Sequence, residues 1–170
     1  MQKTIAELKK ISADAIPLAI EKAERYRLLN QSWATESICL DILEVDPRNP
    51  SVLVLMLLSV TDQFGAEPGA LVTRARGVLE RITDAYERQY YDGIIHERLG
   101  RAQLAHPVMH GEAMAYASLR AAMDAFERAE QRRPPGNDDA ILRWNTCART
   151  LEHLRLQDET EGDYAPVFGE

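Results

Sequence analysis

The sequence predicts an all-α protein, and two observations carry that reading. From Thr4 to Leu156 the apolar residues recur with the period of about 3.6 that turns one face of a helix toward a core. Helix start and stop signals then punctuate the pattern at short intervals: Asn30, Asp46-Pro47, Asn49-Pro50, Gly65, His106-Pro107, Gly111, the Arg133-Pro134-Pro135-Gly136 run and Asn137. Only Val52–Leu58 (VLVLMLL) lacks a polar residue that would fix its period, and that run is too short to span a bilayer.

Each element has its own justification. Ile5, Leu8 and Ile11 form a short apolar stripe that predicts a leader helix, and Ser12 suits the N-cap of the next. There Ile16, Ala19, Ile20, Ala23 and Tyr26 line one face, and Pro17 must lie near the start because deeper it would remove a hydrogen bond. Asn30 suits a left-handed C-terminal position, Ser32 caps a second helix running to about Val45, and Asp46-Pro47 ends it. Asn49 caps a third helix with Pro50 at its first position, expected to reach Phe64 and stop at Gly65. After the GAEPG loop, Leu71, Ala75, Val78, Leu79, Ile82 and Tyr86 predict one long amphipathic helix over 68–88. A helix from Gln89 or Tyr90 buries Tyr91, Ile94, Ile95, Leu99 and Ala102 and closes at His106-Pro107. The next, from Gly111, buries Tyr116, Leu119, Met123, Phe126 and Ala129. Asn137 caps a final helix with Asp138 and Asp139 in its first turn, where carboxylates favour the positive end of the macrodipole, and with Ile141, Trp144, Ala148 and Leu151 buried.

The count is a leader helix, three antiparallel pairs and one unpaired helix, which fits a bundle or a right-handed stack of α-hairpins. At 170 residues and 45% hydrophobic, the chain can bury about 70% of its unfolded surface without disulfides or structural metal. An apolar leader of the secretory kind is missing from MQKTIAELKKISADA, so a cytoplasmic location is expected. All four lysines precede Glu24 and the remaining basic residues are arginine, the mark of an arginine-rich bacterial genome. The net charge of −7 and the interleaving of bases with acids argue against nucleic acid as a partner, and no membrane partner is expected. Residues 158–170 hold five acids and no base, and Gly162, Pro166 and Gly169 break helices. The expected division is therefore a helical domain over 1–157 and an acidic tail over 158–170, flexible or docked on the domain.

One segment carries a resemblance. Ala122-x3-Phe126-x2-Ala129-x4-Pro134 resembles the second-helix half of a tetratricopeptide repeat, in which small and aromatic residues let helices approach and a proline ends the pair. The spacing recurs as Thr35-x3-Cys39-x2-Ile42-x4-Pro47, and Leu99-Gly100 resembles the Leu-Gly of the first helix, although His96 and Gln103 stand where that pattern has aromatics. Pro47 and Pro134 lie further apart than the roughly 68 residues of two standard repeats, so the repeats are elongated, with the excess placed in helices over 68–88 and 111–133. The resemblance covers 12–156 and implies a right-handed α-solenoid of about three stacked hairpins with a C-terminal capping helix. It also implies a protein-binding adaptor that holds a partner segment in a concave groove. That register places Asp138, Ile141, Asn145 and Arg149 in the groove, with Tyr90, Tyr91 and Arg98 as further candidates. In the first repeat it places Ile20, Glu24 and Arg27. Relatives that clamp a chaperone's C-terminal carboxylate resemble one another in Lys and Asn at the first two of those positions, so such a clamp is not expected.

Chemistry finds little foothold. His106-x3-His110 brackets a turn and His96-Glu97 does not continue to HExxH, so no metal site is expected. No Gly-x-Ser-x-Gly or P-loop occurs. Cys39 and Cys147 sit on helices among apolar residues as buried thiols. No catalytic residue and no cofactor are therefore expected. An Asn amide can pair with a peptide backbone and an Arg fork with a carboxylate, which favours Asn145 and Arg149 as partner contacts. The rival reading is a homo-oligomer closed by the Val52–Leu58 face or the tail.

Overall fold

The structure, a computed structural model, describes residues 6–106 and 110–162, with side chains placed as far as Arg155. It is all-helical. Among the described residues there is no strand, and seven α-helices follow one another: α1 (Ile16–Leu28), α2 (Ser32–Val45), α3 (Pro50–Thr61), α4 (Gly69–Leu79), α5 (Ala85–Ala105), α6 (Gly111–Glu130) and α7 (Asp139–Gly162). Among the described residues no helix is long and apolar enough to cross a membrane. The chain divides into two compact units, Met1–Thr83 and Asp84–Glu170.

In the first unit each helix packs on the next, from α1 to α4. Pro17 lies in the first turn of α1, and Asn30 takes the left-handed conformation at φ 58°. The turn between α2 and α3 is locked by Asn49, whose side-chain oxygen accepts from the Val52 amide at 3.1 Å while its Nδ2 donates to Asp46 at 3.0 Å. Ala23, Thr35, Cys39, Ile42, Leu57 and Val60 are fully shielded, and the Thr35 hydroxyl donates to the Ala23 carbonyl at 3.1 Å, tying α2 to α1. Within Val52–Leu58 only Val54 and Leu58 are half-buried and the rest are buried, as suits a helix that is apolar all round. Polar ties finish the unit: Arg27 pairs with Asp62 at 2.7 Å, and Glu36 accepts from Gln63 at 2.9 Å and from Arg74 of α4.

In the second unit α5 and α6 form a long antiparallel pair: Gln103 meets Ser118, Gly100 meets Leu119, Gly93 meets Phe126, and Gln89 meets Arg128. Two glycines permit this approach, since a Cβ on Gly93 would stand 2.5 Å from the Phe126 ring and one on Gly100 3.0 Å from Leu119 Cγ. Ala122, Ala125, Phe126 and Ala129 are fully shielded. α6 then packs on α7, which buries Ala140 and Cys147.

Several expectations are corrected. The stripe at Leu8 and Ile11 forms no leader helix: residues 6–12 are without regular structure and Leu8 is exposed; Ile5 lies outside the described residues. One or two turns of apolar spacing cannot offset helix nucleation. α3 ends at Thr61 rather than Phe64 because the Thr61 hydroxyl and the Gln63 side chain take the Leu57 and Ser59 carbonyls and the backbone tightens to i→i+3 bonds. The expected single helix over 68–88 is two helices. α4 closes in bonds from Arg81 to Val78 and Ile82 to Leu79, and Asp84 starts α5 by accepting from the Glu87 amide at 2.8 Å. The extra length therefore lies in α5 and α6, not in α4. Tyr116 is 55% exposed rather than buried, and on α7 Ile141, Trp144, Ala148 and Leu151 are only half-buried. Of the acidic stretch, 158–162 continues α7 and 163–170 lies outside the described residues.

Candidate functional site

The polar chemistry of the second unit gathers where α5 faces α7. Tyr86, Tyr90, Glu97 and Arg101 recur on α5 at steps of four and seven, so they share one side of the helix. Asn137, just before α7, accepts the Asp139 amide at 3.0 Å and the Tyr86 hydroxyl at 3.3 Å, so one amide oxygen both caps α7 and fixes its start against α5. Tyr86 and Tyr90 stack with centroids 5.8 Å apart, while Tyr90 meets Tyr91 edge-on at 5.1 Å and Phe126 at 5.7 Å.

One turn beyond Gly93 stands Glu97, 1% exposed. Its Oε1 forms an ion pair with Arg101, a neighbour on the same helix, at 2.9 Å and accepts from Arg143 of α7 at 3.4 Å. Its Oε2 is buried with no hydrogen-bond partner among the described residues. The Tyr90 side chain lies close enough to the Arg143 guanidinium to favour its charge. Burial works against the charge on Arg143, but Glu97 and Tyr90 outweigh it, so its proton is held more tightly than usual. Burial pushes the neighbouring Cys147 thiol up to about 12, with the Glu97 charge adding and the two arginines opposing. Burial and the Glu87 charge likewise raise the Tyr91 phenol to about 12. The arrangement holds two arginines in fixed positions while Arg101 stays exposed and Arg143 partly so. That is chemistry for gripping an anionic group.

A second feature of this unit is an open groove of about 860 Å³ between α6 and α7, floored by Met123, Ala148 and Leu151 and edged by Tyr116, Arg120 and Arg155. Among the described residues no group of three or more His, Cys, Asp or Glu could hold a metal ion.

The residues singled out from the sequence fall on both sides of this picture. Tyr90 lies at the centre of the polar cluster and Tyr91 packs on it. Arg98 is half-buried on α5. On α7, Ile141 and Asn145 are half-buried and Arg149 is exposed, and just before it Asp138 is exposed and paired with Arg133. None of these four lines the α6–α7 groove. Sequence reasoning missed Glu97, Arg101 and Arg143. The available signal was Glu97 at a buried position of the stripe through Ile94, followed four residues later by a base.

Comparison with known protein families, with curated proteins and with solved structures finds no match for this chain.

Proposed function

We propose that the chain is a protein-binding adaptor built as a tetratricopeptide-like right-handed solenoid, which holds a segment of another protein and catalyses no reaction. Support for the repeat reading comes from the burial of Ala122, Phe126 and Ala129 together and from the close approach at Gly100, the places where that pattern asks for small and aromatic residues. The observation that carries the binding reading is that α5, the first helix of the last pair, meets the capping helix α7 and its start through polar side chains, Arg143 with Glu97 and Asn137 with Tyr86, beside the partly exposed Tyr90 and the exposed Arg101. First helices line the concave side of such an array, and aromatic and arginine residues make good anchors there. Asn145, Arg149 and Ile141 on α7 and Asp138 just before it, with Tyr91 and Arg98 on α5, would extend the contact. A cytoplasmic site of action in a bacterium completes the proposal.

A second reading, a homo-oligomeric structural subunit, has its own observation in the first unit: Trp33 is 72% exposed and Leu28, Leu29 and Leu40 are exposed with it. The test is affinity capture from source-organism lysate with the native chain and with two variants verified by circular dichroism, Tyr90→Ala/Arg143→Ala and Asn145→Ala/Arg149→Glu, with mass in solution followed by light scattering. A protein retained by the native chain and lost with a folded variant supports the adaptor. Capture of nothing but the chain itself, with a mass that doubles on concentration, gives the reading to the oligomer.

A further inference from the structure

We infer that Arg101 and Arg143, set by the buried Glu97, form a clamp for a side-chain carboxylate on an acidic partner segment. The inference rests on the adaptor reading and adds the chemistry of the partner. Both guanidiniums pair with the same oxygen of Glu97, which keeps the two cations within one carboxylate's reach of each other. Each guanidinium carries five N–H donors and spends few of them here, and its planar fork matches a carboxylate in bidentate geometry. The arginine side chains remain 54% and 38% exposed while Glu97 is 2% exposed, so the anion that orients them is hidden and the donors are not. Two cations against one carboxylate leave a local excess of one positive charge, which a second carboxylate would neutralise.

The cost of the arrangement points the same way. A charge buried with one oxygen unpartnered is a poor device for joining two helices, because well-packed apolar residues would join them as well or better. The same charge is a good device for holding two flexible cations in one place, with Tyr90, packed against Phe126, beside the second of them. Preorganised donors lose less freedom on binding. Arginine rather than lysine fits this role, since a lysine ammonium could not serve Glu97, Tyr90 and a ligand from one plane.

The probe is a dye-labelled Glu-rich octapeptide, with a control in which every Glu is Gln, titrated against the full chain by fluorescence anisotropy. The clamp requires the acidic peptide to bind at least tenfold more tightly than the control. It also requires Arg143→Lys to weaken binding at least fivefold while Arg132→Gln, at an exposed arginine outside the proposed contact, changes it less than twofold. Glu97→Gln should weaken binding without lowering the melting temperature; should that variant fail to fold, Arg143→Lys and the NMR signals of the Arg101 and Arg143 Nε–H groups, which must shift saturably with the acidic peptide, decide the matter. Equal binding of the two peptides, absence of binding by both, or equal losses in Arg143→Lys and Arg132→Gln would overturn the clamp. If a captured partner survives Arg101→Gln/Arg143→Gln, the clamp fails and the adaptor stands; if no partner is captured at all, the adaptor itself fails.

Discussion

Burial sets the chemistry of both cysteines. Cys39 is fully shielded and its thiol is pushed up to about 12 by desolvation, with the Glu36 charge adding; Cys147 reaches the same range beside Glu97. A thiol this hard to ionise is a poor nucleophile. A disulfide reagent at pH 8 should therefore leave both thiols unmodified in the native chain and label both in urea; rapid native labelling would contradict the packing. The same shift has a consequence for stability. Unfolded thiols ionise from about 9.0 and folded ones near 12, so the unfolded state loses protons first as pH rises. The contribution is complete below pH 9 and is lost between pH 9 and 12, a window in which Tyr91 acts in the same direction. The urea midpoint should fall from pH 9 to pH 11, and less steeply in Cys39→Ala/Cys147→Ala; identical slopes would count against it. Cysteine burial was legible in the sequence because both residues sit on apolar faces. Glu97 was not, because a Glu four residues before an Arg looks like any solvated helix pair.

At the scale of helices, the α5–α6 pair depends on two positions without a side chain. Gly93→Ala would set a methyl 2.5 Å from a phenylalanine ring that is itself fully buried and has no room to retreat. Overpacking of this kind costs about 1–3 kcal/mol, against about 1 kcal/mol gained in helix propensity. Gly100→Ala meets Leu119 at 3.0 and 3.2 Å, an aliphatic side chain better able to yield, and should come out near neutral. Thermal melts of the two variants measure the difference, and the ranking fails if Gly100→Ala proves the more damaging. Helix ends show which signals a sequence prints clearly. The end of α2 at Val45 and the start of α3 at Pro50 follow from Asp46-Pro47 and Asn49-Pro50, which forbid or favour helix by local geometry alone. The break between α4 and α5 was hidden because Ile82 and Tyr86 keep the apolar spacing in step across it, leaving Asp84-x-x-Glu87 as its one mark. Asp84→Ala should then cost about 1 kcal/mol, read as a lower urea midpoint; an unchanged midpoint would show that the cap is not what holds the start of α5.

For the molecule as a whole, an acidic ligand must approach a chain carrying 27 acids and 20 bases. Five of those acids lie in residues 158–170, so most of the negative excess is concentrated in one stretch that begins in the last turns of the helix bearing Arg143. Two arrangements of that stretch differ in how salt treats them. If the acids act only through their field, Asp158→Asn/Glu159→Gln/Glu161→Gln/Asp163→Asn/Glu170→Gln raises affinity for the Glu-rich octapeptide a few-fold at low salt. The gain should vanish near 1 M salt, where screening reaches only about 3 Å. If the stretch instead competes for Arg101 and Arg143 by direct contact, its removal should raise affinity at every salt concentration, because partly buried pairs are screened far less. We expect the first outcome: the acids sit on residues whose first five continue α7 away from Arg143, more than a dozen helical positions along the chain. The loss caused by Arg143→Lys should persist in high salt in either case, since it removes a half-buried fork rather than a distant charge. A neutralised stretch that still binds several-fold more tightly in 1 M salt would show that its carboxylates occupy the clamp in the resting chain.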